Sequence, residues 1–127
     1  MAELQAVEAR LRRILEPYRD DLSVTREGPG GIVFELPGYE GQPWGYVAGT
    51  RIGKSYVSFY LMSVYADPEL QTSISPELRK RMQGKSCFNF TKVDETLFTE
   101  LESLTAKGIA GHPAMVAAAL AASPKRR

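Results

Sequence analysis

The chain has 127 residues, with 16 Lys and Arg against 15 Asp and Glu, one His and one Cys. That length suits one average domain with a core of its own, and 24% charged with 43% hydrophobic residues argues against wholesale disorder. A formal net charge of +1 gives no general pull toward nucleic acid or anionic lipid; one cysteine forms no internal disulfide, and one histidine builds no His-rich metal site.

Leu4, Val7, Leu11, Ile14 and Tyr18 recur at spacings of three and four, one stripe of an amphipathic helix, with Glu8, Arg10, Arg12 and Arg13 off the stripe. Pro17 is expected to end it, because proline disfavours the helical conformation in the residue before it. A strand around Leu22–Glu27 meets the turn Gly28-Pro29-Gly30-Gly31, and a second strand follows at Ile32–Leu36. Trp44–Thr50 reads as a third strand and Ser55–Met62 as a fourth, rich in aromatic and apolar residues. Asp67-Pro68 and Ser75-Pro76 each place a capping residue before a proline suited to the first helical position. The second pair is expected to open a helix through Gln83, with Gly84 as a left-handed C-cap. A fifth strand at Ser86–Thr91 sets Phe88 and Phe90 on one face. Asp94 then caps a helix stopped by Gly108, and Pro113 starts a last alanine-rich helix.

The order α-β-β-β-β-α-β-α, with hairpin-length early links, predicts an α+β domain: an antiparallel sheet of about five strands with helices packed on one face. One domain over residues 1–122 and a short basic tail over 123–127 are expected. The charged amino terminus lacks a signal peptide's apolar stretch, and no segment approaches the roughly 20 apolar residues of a membrane span. The cytoplasm is the expected location, with neither nucleic acid nor membrane as partner.

Gly-Lys-Ser occurs at 53–55 and again at 84–86, but Ala48 and Arg79 stand where a phosphate-binding loop needs its first glycine, and both copies lead into strands. The copies extend to Gly53–Phe59 and Gly84–Phe90, matching at four of seven positions. Strand-entry chemistry explains this; Lys54 and Lys85 on adjacent strand ends, cradling a carboxylate or phosphate, is the functional reading. Cys87 shares strand parity with Lys85, an arrangement that lowers a thiol pKa, but a nucleophile also needs a base. The only imidazole, His112, is expected to cap or flank the last helix. Carboxylates such as Asp20-Asp21 and Asp94-Glu95 lack the spacing of a cation loop, so no metal ligand or catalytic residue is assigned. Pro76–Lys92 carries a balance of +4 and Asp94–Glu102 one of −4, two solvated faces or complementary halves of a self-association surface.

The aromatic set is the remaining signal. Trp44 and Tyr46 share one strand face by parity, as do Tyr56 and Tyr60 on theirs. A hairpin around Arg51–Lys54 would bring all four to the sheet face opposite the helices. Such residues suit a small-ligand pocket or a protein interface, or else form a second mini-core.

Trp44–Ala48, Lys54–Met62 and Met82–Phe90 together resemble the YdhG-like family, a bacterial family of largely unknown function, over roughly Gly38 to Gly108. The resemblance implies an α+β fold of secretion-chaperone-like, two-layer architecture. Some relatives carry a frataxin-like iron-chaperone label, so iron enters by resemblance alone, and the mixed charges of the first helix show no acidic ridge for it. The expected function is a non-enzymatic binding domain acting on an unknown protein partner or on itself as a homodimer, through Trp44, Tyr46, Lys54, Tyr56, Tyr60, Lys85 and Cys87. A small-ligand or iron-binding module is the alternative, and a thiol enzyme built on Cys87 is the third reading.

Overall fold

In the computed structural model, which describes residues 2–42, 45–84 and 86–122, the amino-terminal stripe forms helix α1 (Ala2–Leu15). Leu4, Val7, Leu11 and Ile14 are buried along it, as their spacing requires, and Leu15 joins them. The helix gives way to a single 3₁₀ turn, Glu16–Tyr18, at Pro17. Four strands follow: β1 (Ser23–Gly28), β2 (Gly31–Glu35), β3 (Tyr46–Ile52) and β4 (Val57–Leu61). Three short helices come next, α2 (Met62–Ala66), α3 (Pro68–Ser73) and α4 (Pro76–Arg79), then β5 (Met82–Gln83), β6 (Cys87–Phe90) and the long α5 (Glu95–Ala122).

Every strand pair is antiparallel, in the order β1-β2-β3-β4-β6-β5. One face of the sheet carries Ile32, Phe34, Val57, Phe59, Leu61, Phe88 and Phe90, all buried. Helix α1 lies against β2, β3 and β4, and α5 packs on α1 and on α2, α3 and α4. Each such fully buried side chain contributes roughly 1.5–3 kcal/mol of apolar transfer. No helix among the described residues is long and apolar enough to cross a membrane.

The α+β class and the antiparallel sheet are as expected, but among the described residues the sheet has six strands. The helix expected through Gln83 ends at Arg79, because Met82 and Gln83 pair with Phe88 and Cys87. Gly84, at φ +78°, turns that hairpin instead of capping a helix. The proline-led helices do form: Asp67 accepts from the amides of Glu69 and Leu70, and the Ser75 hydroxyl accepts from that of Leu78. The fourth strand stops one residue short of Met62, which opens α2.

The largest correction concerns α5, which runs unbroken past Gly108 and Pro113. Gly108 is a contact glycine, not a terminator: a Cβ there would overlap the Ser63 hydroxyl and crowd the Leu61 methyls. Its bare backbone lets α5 approach α2 and β4 closely. Pro113 lacks the amide that would bond the Ile109 carbonyl, a loss that the packed helix tolerates. His112, expected at a helix boundary, is instead a buried residue of α5, 1% exposed.

Charge also enters the contact between α1 and the sheet. Glu8, placed off the stripe by its polarity, is 5% exposed. The Thr50 hydroxyl donates to its Oε2 at 2.6 Å and Arg12 Nε donates to the same oxygen at 2.8 Å, while Arg12 Nη2 donates to the Gly28 carbonyl at 2.7 Å. Arg10 meanwhile ties α1 to α5, donating through Nε and Nη2 to Glu95 and through Nη2 to Glu102 at 3.3 Å. The Arg10 hydrogen bonds hold the Glu95 carboxyl below the usual carboxylate range.

Candidate functional site

The sheet face away from the helices is where the predicted aromatics meet. Tyr46 and Tyr60 pack edge to face, with ring centroids 6.2 Å apart. Strand parity alone would put Tyr46 on the face of Ala48 and Thr50. A bulge in β3 prevents this: Phe34 faces Ala48 while Glu35 faces Tyr46, so Val47 is the extra residue and the alternation shifts. Tyr46 thereby joins Gly49 and Arg51 on the open face. Gly49 lies opposite Tyr60 in register, and a Cβ on it would come within 2.9 Å of the Tyr46 hydroxyl and 2.6 Å of the Ile32 carbonyl. The glycine is the floor beneath the Tyr46 hydroxyl. Burial, then the neighbouring Tyr60, Cys87 and Glu35, push the Tyr46 phenol above its ordinary pKa.

Gly49→Ala is therefore expected to cost about 2 kcal/mol of stability by overpacking and to lift the Tyr46 ring. Urea denaturation reads the first effect, and the ring-proton shifts of Tyr46 and Tyr60 the second. A melting curve and ring shifts equal to those of the parent would refute the floor role.

Two grooves flank this pair. The larger, about 700 Å³, runs between Arg26, Val33, Tyr46, Arg51, Tyr60 and Met62. The second, about 490 Å³, is lined by Arg51, Lys54, Tyr56, Ser58, Tyr60 and Cys87. Arg51 and Tyr60 belong to both. Tyr56, 38% exposed, stands in the β3–β4 turn, where the Gly53 amide donates to the Tyr56 carbonyl at 2.7 Å.

Tyr46, Lys54, Tyr56, Tyr60 and Cys87 thus all reach the open face; Trp44 and Lys85 lie outside the described residues. The glycine turns of the repeated tripeptide do not converge. Val57 pairs with Phe90 and Tyr60 with Cys87, so Gly53 and Gly84 turn at opposite ends of the β4–β6 ladder. An antiparallel pair necessarily separates two strand-entry motifs in this way. The shared aromatics Phe59 and Phe90 do both point into the core.

Cys87 donates its S–H to Asn89 Oδ1 at 3.4 Å, the same oxygen that accepts from Ser58 at 2.7 Å, while Asn89 Nδ2 donates to Gln83. This is a polar ladder across β4, β6 and β5. His112 lies in α5 on the other side of the sheet, so the structure does not pair thiol with imidazole. Among the described residues no three His, Cys, Asp or Glu side chains gather as metal ligands.

The acidic block of α5 proves to be internally committed. Asp94 accepts from the Leu97 amide, Glu95 and Glu102 from Arg10, and Glu100 from the backbone and hydroxyl of Ser75. These carboxylates cap helices and join elements, with Glu95 and Glu102 still 62% and 47% exposed. Residues that sequence reasoning passed over, Gly49 and Arg51, prove central to the open face. Only the β3 bulge brings them beside Tyr46, and no local pattern marks it.

Comparison with protein-family models, with curated proteins and with solved structures returned no match.

Proposed function

We propose that this chain is a non-enzymatic binding module and that the open sheet face is its binding surface. The observation carrying this is the Tyr46–Tyr60 pair, set over the Gly49 floor within a groove of about 700 Å³. A concavity of that size lies in the range of small-molecule sites, and amphipathic rings with a few polar groups are their usual lining. A flat patch would have favoured a second copy of the chain; the groove favours a small ligand. The iron-delivery reading finds no cluster of ligating side chains among the described residues to support it.

Titration of the ¹⁵N-labelled chain with indole, a neutral flat probe, should move the amides of Gly49, Arg51 and Tyr60 saturably. If a second copy is the natural occupant, sedimentation velocity will show a concentration-dependent dimer and the same amides will broaden. No change at those amides in either experiment overturns the open face as a binding surface.

A further inference from the structure

Resting on that reading, we infer that the ligand is an anion carried on a flat apolar body, with Arg51 holding its carboxylate or phosphate oxygens. The acid that lines the larger groove, Glu27, is already paired: it accepts from Arg19 and has Arg12 at 3.9 Å, and no acid among the described residues lines the smaller groove. The bases are not: Arg26, Arg51 and Lys54 form no ion pair among the described residues. On a chain with a net charge of +1, the larger groove is thereby lined by two bases and one paired acid, and the smaller by two bases, among the described residues.

Arg51 occupies the pivotal position. It lines both grooves, beside Tyr60, and its planar fork suits two anionic oxygens at once. Lys54 adds a second positive charge along the smaller groove. The larger groove offers Tyr46, Tyr60, Val33 and Met62 to a flat body. A bare anion would leave that apolar lining unused, and a neutral ring would leave Arg51 unmatched.

Calorimetric titration of the full chain tests this with four probes: phenyl phosphate, 3-phenylpropionate, benzyl alcohol and inorganic phosphate. Either aromatic anion should bind at least tenfold tighter than benzyl alcohol and than inorganic phosphate, and the tighter of the two identifies the oxyanion. Arg51→Gln should weaken the aromatic anions at least tenfold without changing the melting temperature; Lys54→Gln should weaken them less. Benzyl alcohol binding as tightly as the anions, or Arg51→Gln binding them like the parent, overturns the anion assignment. Inorganic phosphate binding as tightly as phenyl phosphate overturns the flat body. If the anions fail while indole still shifts Gly49 and Tyr60, this inference falls and the binding face stands. If indole fails as well, both fall.

Discussion

Phe98→Ala is expected to lower the unfolding free energy by about 4 kcal/mol, read from urea denaturation. Phe98 is fully buried on α5, its ring meeting Phe90 of β6 at 4.9 Å in an edge-to-face contact. The Arg10 guanidinium from α1 lies 5.6 Å from the same ring centre. Truncation therefore opens a cavity where α1, α5 and the sheet converge, and removes a ring pair of roughly 1 kcal/mol together with a cation–π contact of roughly 0.5–1 kcal/mol. Phe98→Leu keeps most of the volume and loses only the ring, so it should cost about 1.5 kcal/mol. Equal losses for the two variants would mean that side-chain volume contributes nothing and that the ring contacts, which both variants remove, account for the whole cost.

Glu8→Ala ranks next, at about 3 kcal/mol. Its carboxylate is the shared acceptor for Thr50 and Arg12 within the contact of α1 with the sheet. Removing it strands a buried hydroxyl and takes the carboxylate from a mostly buried cation. Arg12 keeps the Gly28 carbonyl and some exposure, which holds the loss to the lower end of the range for a broken buried pair. Glu8→Gln retains an acceptor for Thr50 and should cost about half as much. Combining Glu8→Leu with Thr50→Val and Arg12→Met removes the acceptor and both of its donors together and should recover most of the stability. A triple variant as unstable as Glu8→Ala would show that the network does more than satisfy its own polar atoms.

Both variants act at places where the sequence was only half legible. The stripe of α1 identified Leu4, Val7, Leu11 and Ile14 correctly, because burial along one helix face imposes a period that survives any tertiary context. Glu8 sits near the same face, yet polarity assigned it to solvent. Its burial depends on Thr50, 42 residues away, and no window along the chain contains that partner. The ring partners of Phe98 likewise come from β6 and α1, outside any local window. The aromatic quartet was half legible too. Tyr46 and Tyr60 were named together, and they do meet. Arg51 was not, because alternation assumes an unbroken ladder and β3 carries an extra residue at Val47.

What the sequence by itself determined is local: strand stretches from alternation, helix starts from Asp67-Pro68, Ser75-Pro76 and Asp94, turns from glycine, and an α+β class from their order. These follow from backbone sterics and short-range hydrogen bonds, which act within a few residues. Tertiary structure alone decided three things. It carried α5 through Gly108, because close packing on Ser63 and Leu61 outweighs glycine's weak helical preference. It placed the two Gly-Lys-Ser turns at opposite ends of an antiparallel ladder. And it settled which charges remain free. A near-zero total became grooves lined mainly by bases because Arg51 and Lys54 gather there while Glu27 is paired with Arg19, an arrangement that net charge cannot register.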